Sequence, residues 1–463
     1  MVGAAWCKAG PLRAAARLAS AILCGGLLAA VIAILQATKL TQAGIWIVDA
    51  VSASRPGANL AQPNNLATLL GISCASLLLL FEQRRLSGRA ACLAAGVLLA
   101  AMAATQSRTA LIFGPIVLAG VTLARRRAVE IRISNRVLVL TICAYFAMVW
   151  LWPKVQSSLQ FGELDSIVSR GLGSVRFEMW SVLWDAMSQQ PWSGYGWLQV
   201  GAAELAAVDR HPAPEEMWQH GHNLFVDLIV WCGYPIGILL SSAVIFWVVT
   251  RTLRVRTVEA VVGMLVVAII GAHAMLELPH HYLYFLVPAG LWIGQIESSL
   301  RSTSRVSSMA RVAKWLPVTL CLALAAMILR DYWKVEDEFR LFRFEAMNFG
   351  PARADGPTPN APAMSTLTTF LRLNRTSQLS NMSPSELGEL IAITRRYPYA
   401  PSLSRCALAL ALNGRTDEAV EFFWAIRQMY GRAVFSRQRD HLRERIAAGE
   451  HALASLESAL PQE

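Results

Sequence analysis

The chain has 463 residues, of which 55% are apolar and only 16% are charged, and its mean hydropathy is +0.41. These values exclude a disordered chain and disfavour an ordinary soluble enzyme, in which about a quarter of the residues are charged. The net charge of +11 does not indicate nucleic-acid binding, because the arginines cluster at the ends of apolar runs. A polytopic membrane protein is therefore predicted.

Nine apolar segments follow one another along the chain, each near the length of about 20 residues that a membrane-spanning helix needs. The predicted spans are residues 14–36, 62–81, 88–106, 108–125, 136–152, 223–250, 257–276, 281–298 and 313–330. Every second connection is short and rich in Arg, as in EQRRLSGR (82–89) and ARRRAVEIRISNR (124–136). Such loops stay in the cytoplasm, so the N-terminus is predicted to be cytoplasmic. The predicted fold class is all-α, with about nine spans.

The remaining loops are then extracytoplasmic, and so is the C-terminal tail. The prediction divides the chain into a transmembrane domain, 1–330, which includes an outer loop at 153–222, and an outer helical domain, 331–463. Three tail segments carry apolar residues at helical spacing: PSELGELIAITRRYP, APSLSRCALALALNGR and TDEAVEFFWAIRQMYG (384–431). They predict one helix-turn-helix repeat of tetratricopeptide type, followed by a capping helix near 435–457.

Polar side chains gather in the outer loops and at the outer ends of the spans, and none of the eight His lies in a predicted cytoplasmic loop. In a membrane protein such residues are the first functional candidates. The set comprises Arg55, Gln62, Asn64, Arg108, Arg170, Arg176, His211, His220, His222, Asn223, Glu277, His280 and His281. Their distribution predicts polar chemistry on the outer face.

Arg108 lies in TQSRTA (105–110), a tight turn between two apolar segments with almost no loop. A guanidinium held there needs a partner or an anion, and its planar fork suits phosphate oxygens. The alternative is an interfacial Arg that extends its head group into water. We favour the functional interpretation for Arg108, and leave the two interpretations balanced for Arg55 and Arg170.

His222 lies at the start of the predicted span 223–250, where a neutral imidazole could accept a proton from a hydroxyl. A histidine there is also common as a helix cap. Asp227 and Glu277 could each orient a histidine or pair with an arginine, and a structural ion pair is at least as plausible for both. His220 and His222 are two residues apart, which is not the spacing of a helical zinc site.

Motifs of several soluble enzyme classes are absent from the sequence. It contains no GxxxxGK[ST], HExxH or GxSxG, and no CxxC pair. ATP hydrolysis, zinc proteolysis and a disulfide framework therefore have no support.

Five segments resemble a known family in the expected order. RPGANLAQPNNLATLL (55–70) is similar to the Gln-Pro-Asn loop of bacterial O-linked protein oligosaccharyltransferases of the PglL type, and SRTALIFG (107–114) is similar to a turn they share with O-antigen ligases. RFEMWSVLWDAMSQQPWSGYGW (176–197), HGHNLFVDLIVWCG (220–233) and LELPHHYLYFLVPAGLWIG (276–294) resemble three further elements of this O-antigen ligase and Wzy-like superfamily. The tail resembles the corresponding region more loosely.

Two features depart from the family pattern. Several spans usually precede the Gln-Pro-Asn loop, whereas one precedes it here, so a short variant or a truncated start is expected. In the family a Gly-x-x-Gly element follows the His-Asn helix, with two residues between its glycines. Here three residues separate Gly233 from Gly237.

The resemblance implies transfer of a glycan from undecaprenyl pyrophosphate to Ser or Thr hydroxyls of periplasmic, pilin-like proteins, by a multi-pass enzyme of the bacterial inner membrane. Arg108 and Arg176, with Arg55 third, would neutralise the leaving pyrophosphate. His222 would deprotonate or orient the acceptor hydroxyl.

The remaining candidates would bind substrate: Gln62, Asn64, Asn223 and Glu277. No metal or cofactor is implied, and no nucleic-acid partner. An O-antigen ligase acting on lipid A–core, a Wzy-like polymerase and a transporter of lipid-linked sugars remain as alternatives. Internal repeats and midplane polar sites, which a transporter should have, are not seen in the sequence.

Overall fold

The computed structural model describes residues 11–40, 46–48, 55–158, 175–300, 315–346 and 358–461. Within these ranges the regular elements are helices, which confirms the all-α prediction. The α-helices of the N-terminal half are α1 (Pro11–Ala37), α2 (Pro63–Glu82), α3 (Gly88–Ala104), α4 (Phe113–Arg126), α5 (Asn135–Ser158), α6 (Val175–Gln189) and α7 (Val200–Ala207). They are followed by α8 (Leu224–Arg254), α9 (Val258–Ala274), α10 (Leu283–Leu300), α11 (Trp315–Ala346), α12 (Ser365–Arg375), α13 (Pro384–Arg396), α14 (Ala400–Leu412), α15 (Thr416–Ala447) and α16 (Ala454–Ala459).

Six helices in the described part of the chain are long and apolar enough to cross a membrane. They are Arg13–Ala37, Pro63–Glu82, Thr109–Arg126, Asn135–Ser158, Leu224–Arg254 and Trp315–Glu345, and each falls on a predicted span. The other three predicted spans correspond to α3, α9 and α10. Because α3 and α9 have 17 residues each, they extend only about 25 Å, short of the roughly 30 Å hydrocarbon layer. Nine spans therefore stay a prediction.

The chain forms two compact units. The first unit comprises Met1–Ser174, His222–Phe225 and Leu240–Arg305, and the second comprises Val175–Gly221, Val226–Leu239 and Val306–Glu463. The predicted division into domains 1–330 and 331–463 stays a prediction.

Helix α2 forms the centre of the first unit, where it packs against α1, α3 and α9. It is mostly apolar, which is typical of a buried helix, and Leu66, Leu70, Ile72 and Leu79 are fully buried. Small residues allow α1 to approach closely: a Cβ at Gly26 would lie 2.0 Å from Ser73 Oγ. Close helix contact through small residues is how membrane helices gain packing energy.

The second unit contains the three tail segments predicted to be helical, and they form α13, α14 and α15. Helix α13 begins with a capping box in which Ser383 and Glu386 satisfy each other's backbone N–H groups. The turn after α14 uses Asn413, whose amide donates to Leu379 O, and Gly414 at φ +79°. The capping helix predicted near 435–457 is divided, because α15 continues to Ala447 and α16 begins at Ala454. The tetratricopeptide assignment stays a prediction.

Helix α8 is interrupted at Gly233, which has φ +75° and ψ 172°. The freed carbonyls of Val230 and Trp231 accept hydrogen bonds from Tyr195 N (2.8 Å) and Gly196 N (3.0 Å). These bonds lie within the second unit and replace the helical bonds that the break removes. The segments 176–197 and 220–233 therefore meet as two backbones in contact. A Cβ at Gly194 would lie 2.5 Å from Gly233 N, and a Cβ at Gly233 would lie 2.5 Å from Trp192 O, so only glycine suits these positions.

Glu204 is a fully buried carboxyl group on α7 of the second unit. Its Oε2 accepts a hydrogen bond from Trp218 N at 2.7 Å. Burial raises its pKa to about 8, Trp218 N–H opposes this shift, and Glu216 adds to it. The folded protein therefore keeps this carboxyl protonated at neutral pH.

We expect Glu204→Gln to flatten the pH dependence of stability. Since the folded pKa is raised above the ordinary value of 4.5, the unfolded chain holds fewer protons between about pH 4.5 and 8, and the free energy of unfolding falls as pH rises through that window. The fall is on the order of a few kcal/mol. Thermal unfolding of the purified protein from pH 5 to 9 should show the variant gaining stability over wild type as pH rises. Exposed Glu421→Gln is the control, and an equal slope in Glu204→Gln and wild type would contradict the assignment.

Candidate active site

His222 and Glu277 form a hydrogen-bonded pair in the first unit, with His222 Nδ1 3.1 Å from Glu277 Oε2. His222 lies two residues before the start of α8, and Glu277 lies three residues after the end of α9. The His222 side chain is 37% exposed and that of Glu277 is 17% exposed, so the imidazole remains accessible while its partner is shielded. His222 also has φ +50°, a conformation that is uncommon for a residue with a side chain and that occurs often at functional sites.

Asn64 connects this pair to a second group of polar residues. Its Nδ2 donates to Glu277 Oε1 at 3.4 Å, and its Oδ1 accepts from Ser107 Oγ at 2.7 Å. Arg55 Nη2 donates to the same Oδ1 at 3.3 Å, while Arg55 Nε donates to Thr105 O at 2.8 Å. Four of the helices therefore place one end in this network: the starts of α2 and α8 and the ends of α3 and α9. These are ends that the basic-loop pattern assigns to one side of the membrane.

Arg108 follows Ser107 directly and precedes the 3-10 turn Thr109–Ile112. The hydrogen bond from Ser107 Oγ to Asn64 Oδ1 ties this turn to the network, and so fixes the backbone next to Arg108. The backbone there is compact: Gln106, at φ +47°, donates from its side chain to Ala103 O and Val149 O, both at 3.0 Å. Arg108 therefore lies at the edge of the network, and its predicted role in binding pyrophosphate stays a prediction.

Gln62 and Asn223 cap helices in the structure. Gln62 accepts from Asn65 N at the start of α2. Asn223 Oδ1 accepts from Phe225 N at 3.0 Å, and its Nδ2 donates to Met275 O at 3.2 Å. Asn223 thereby joins the start of α8 to the segment that carries Glu277. Sugar binding by Gln62 and Asn223 stays a prediction.

A second polar layer lies further along α2, and sequence reasoning missed it. Asn65 Nδ2 donates to Tyr284 Oη at 2.9 Å, and Thr68 Oγ1 lies 2.8 Å from His273 Nδ1. Thr68 and His273 are fully buried. The sequence did contain a signal for this layer. Asn65 and Thr68 are three residues apart, which puts both on one face of a mostly apolar helix.

Other predicted residues belong to the second unit. Arg176 lies in the first turn of α6, and its role stays a prediction. Asp227 Oδ1 accepts from Gly221 N at 2.7 Å, and His211 Nε2 lies 2.7 Å from Asp185 Oδ2. Asp227 therefore fixes the backbone next to His222. Arg170 lies outside the described residues.

His280 is a second candidate base in the first unit. Burial and the neighbouring His281 lower the pKa of His280 to about 4, so it is neutral at pH 7 and holds a proton poorly. A general base needs a nearby group that stabilises its protonated form. His222 has such a group, the Glu277 carboxylate 3.1 Å from its Nδ1.

The first unit therefore contains an accessible imidazole and a shielded carboxylate in contact, those of His222 and Glu277. Two arginines, Arg55 and Arg108, lie in or next to the same network. This combination can remove a proton from a hydroxyl and stabilise an anionic leaving group without a covalent intermediate. Within the part of the chain that the structure describes, no three His, Cys, Asp or Glu side chains group as a metal site would require.

Two family models match the chain. The model described as O-Antigen ligase matches residues 93–241, and the model described as Virulence factor membrane-bound polymerase, C-terminal matches residues 261–444. The first covers α3 to the middle of α8, and the second covers Glu277 and most of the tail. No solved structure matches the chain.

Two curated relatives come from Acinetobacter baylyi. A general O-oligosaccharyltransferase is 30% identical over 286 residues, which is 60% of this chain and 50% of that protein. A ComP-specific O-oligosaccharyltransferase is 29% identical over 269 residues, which is 58% of this chain and 48% of that protein. The chain thus spans about half the length of the curated relatives it matches. The chain is therefore similar to proteins of the O-antigen ligase superfamily, and among them to the O-linked protein oligosaccharyltransferases of the PglL type.

Proposed function

We propose that this protein transfers a glycan from an undecaprenyl pyrophosphate-linked donor to Ser or Thr hydroxyls of periplasmic, pilin-like proteins. The observation that supports this most is the His222–Glu277 pair, which Asn64 joins to Arg55 and Ser107 in one network. The names of the two relatives support a protein acceptor. The enzyme would lie in the bacterial inner membrane, with the network and the C-terminal region facing the periplasm.

In this proposal the reaction is a single displacement. His222 Nδ1–H donates to Glu277, which leaves Nε2 free to accept the proton of the acceptor hydroxyl. The hydroxyl oxygen then attacks the anomeric carbon, the bond from that carbon to the pyrophosphate oxygen breaks, and the anomeric configuration inverts. Undecaprenyl pyrophosphate leaves as an anion.

Arginine side chains would stabilise the leaving anion. Arg108 is the proposed contact to the pyrophosphate, because a guanidinium matches two phosphate oxygens at once. The same role for Arg176 rests on the sequence resemblance alone. Arg55 would act less directly, since its Nε and Nη2 already donate to Thr105 O and Asn64 Oδ1. Fixed cations of this kind supply electrostatic stabilisation without reorganisation during the reaction.

The second candidate is transfer to a saccharide, either lipid A–core or a second lipid-linked glycan. The family descriptions O-Antigen ligase and membrane-bound polymerase favour it. The donor and the proposed bond changes would be the same, and only the acceptor hydroxyl would differ. The acceptor therefore has to be determined directly.

The test is to supply the gene to a cell that lacks this activity and makes a lipid-linked oligosaccharide. Glycan on pilin-like proteins is measured by mass spectrometry, and lipopolysaccharide is examined in parallel. We expect glycan on Ser or Thr. Glycan on lipopolysaccharide alone would replace this proposal with the ligase, and longer lipid-linked glycans alone would replace it with the polymerase.

Asn64→Ala tests the connection between the two halves of the network. The variant removes hydrogen bonds to Arg55, Ser107 and Glu277, so we expect transfer to slow by about tenfold to a hundredfold, the loss typical of hydrogen bonds to charged groups. Asn59→Ala, at an exposed asparagine of the same loop, is the matched control. Equal transfer rates for Asn64→Ala and wild type would show that the network does not support catalysis.

A further inference from the structure

Two pairs of polar side chains join α2 to α9 and to the turn that follows α9, all within the first unit. In the outer pair, Asn64 Nδ2 donates to Glu277 Oε1 at 3.4 Å. In the inner pair, Thr68 Oγ1 lies 2.8 Å from His273 Nδ1. Asn64 and Thr68 are four residues apart on α2, and so are His273 and Glu277 along the chain. Because that spacing is about one helical turn, the two pairs are successive links between the same two segments.

The inner pair is closed off from solvent, whereas the outer pair is partly exposed. Thr68 and His273 are both fully buried. The His273 ring packs edge-on against Phe285, with centroids 6.3 Å apart, and Phe285 is also fully buried. A buried donor and acceptor are costly to separate, because neither finds water as a replacement partner. The inner pair is therefore the firmer of the two links.

The backbone connects the position of His273 to that of Glu277. Glu277 N donates to His273 O at 2.8 Å, and Leu276 N donates to the same oxygen at 2.9 Å. The turn that carries Glu277 is thus closed on the residue whose ring is bonded to α2. From that turn the Glu277 carboxylate contacts both Asn64 and His222. A shift of α9 along α2 would therefore move the carboxylate away from its partners.

A polar inner pair fixes this register more closely than an apolar pair would. Hydrophobic attraction is non-directional, whereas a hydrogen bond weakens as its length and angle change. The outer bond, from Asn64 to Glu277, is already long at 3.4 Å, and a contact beyond about 3.6 Å is no longer a hydrogen bond. A displacement of about 0.5 Å is therefore enough to break the outer link.

We propose that Thr68 and His273 are positioning residues, whose bond sets the register of α2 and α9. That register places the Glu277 carboxylate within reach of Asn64 and His222. This inference rests on the proposed function, because the carboxylate that it places is the one that orients the proposed base. Neither Thr68 nor His273 would contact the substrates, so loss of their bond should slow the chemical step and leave substrate binding nearly unchanged.

The experiment compares two substitutions of Thr68 in the full chain, purified and supplied with an undecaprenyl pyrophosphate-linked oligosaccharide and a pilin-like acceptor. Thr68→Val removes the hydroxyl and nearly keeps the shape, whereas Thr68→Ser keeps the hydroxyl. We expect Thr68→Val to lower kcat by about tenfold, with the acceptor KM within about twofold of wild type. Thr68→Ser should restore most of the rate. An unchanged kcat in Thr68→Val would overturn the inference.

Ser76→Ala is the matched control for the loss of a buried hydroxyl. Ser76 is also fully buried on α2, but its hydroxyl donates to Ile72 O of the same helix, at 2.8 Å. Its removal breaks no bond between α2 and α9, so kcat should stay at the wild-type value. A loss in Ser76→Ala equal to that in Thr68→Val would assign the effect to any buried hydroxyl of α2 and would overturn the inference.

A general structural role of Thr68 is tested in a Glu277→Ala background, with rates expressed per folded protein. If Thr68 acts through Glu277, Thr68→Val should add less than about twofold to the loss caused by Glu277→Ala, because the group that it places is gone. A further loss of about tenfold in that background would show that Thr68 acts independently of Glu277, contrary to the inference. Thr68→Ala takes the place of Thr68→Val if the valine variant does not fold.

The His222→Ala variant separates this inference from the proposed function. Slow transfer by His222→Ala together with a wild-type kcat in Thr68→Val would contradict the inference alone. Wild-type transfer by His222→Ala would contradict the proposed function, and the inference with it. If glycan is found only on a saccharide acceptor, the same variants are measured with that acceptor, and the same ratios of kcat are expected.

Discussion

His222→Ala should abolish glycan transfer while the protein still folds and inserts in the membrane. The imidazole is the accessible base of the network, and the Glu277 carboxylate 3.1 Å from its Nδ1 holds it in one orientation. A positioned general base contributes about 10²- to 10⁴-fold to the rate of proton transfer. We therefore expect the initial rate of transfer to fall by about 10³-fold. The rate is measured with purified protein, a lipid-linked donor and an acceptor protein.

His441→Ala is the control for this prediction. His441 is an exposed residue of the second unit, with 70% of its side chain accessible, so its loss should leave the rate unchanged. The folding of both variants is compared by thermal unfolding. A His222→Ala protein that folds normally and transfers glycan at the wild-type rate would remove His222 from the mechanism.

Gly233→Ala should destabilise the protein strongly. Gly233 has φ +75°, and a Cβ there would lie 2.5 Å from Trp192 O. The strained conformation alone costs about 1–2 kcal/mol, and the backbone contact cannot relax without breaking the nearby bond from Tyr234 N to Pro191 O, 2.8 Å long. We expect a total loss of about 3 kcal/mol or more, at the upper end for single substitutions.

Gly388→Ala is the matched comparison. Gly388 lies inside α13, and a Cβ there would contact nothing within 4 Å. Alanine is favoured over glycine in a helix by about 1 kcal/mol, so this variant should be slightly stabilised. Thermal unfolding of the two variants should therefore shift in opposite directions. A shift of Gly233→Ala toward higher stability would contradict the geometry of the break in α8.

The pairing of His222 with Glu277 illustrates what the sequence can predict. Both residues were identified as candidates, because both lie at span ends on the side opposite the basic loops. Alternating Arg-rich loops fix which helix ends share a side, and side chains from those ends then have a chance to meet. The sequence could not show that His222 contacts Glu277, because helix packing decides which of the span ends are neighbours.

Asn64 shows what the sequence leaves out. It was predicted to bind sugar or to fix its loop, and sugar binding stays a prediction. The structure adds that Asn64 connects Glu277, Ser107 and Arg55. Such a role depends on three contacts that are distant in the chain and arise only after packing. The resemblance to a Gln-Pro-Asn loop identified the residue but not its contacts.

The missed pair of Thr68 and His273 has a different cause. Each is a polar residue in a mostly apolar segment, and hydropathy averaged over a span conceals such residues. Their partnership is visible only once α2 and α9 are seen to pack together. Polar residues inside predicted spans therefore need to be examined individually.

The sequence pattern did not predict where the tail helices end. The third predicted helical segment ends at Gly431, whereas α15 continues past a break at that residue to Ala447. The following segment SRQRDHLRER (436–445) is polar, and its helix is supported by charge pairs such as Arg439 with Glu457. Apolar periodicity alone does not detect a helix of this kind.

The most direct test of the central claim is a double-mutant cycle between His222 and Glu277. Initial rates of glycan transfer are measured for wild type, His222→Ala, Glu277→Gln and the double variant, all purified and reconstituted with the same donor and acceptor. If Glu277 acts by orienting His222, the double variant will be no slower than His222→Ala alone, because residues that act as one unit are not additive. Rate losses that multiply in the double variant would show that the two residues act independently and would contradict the proposed mechanism.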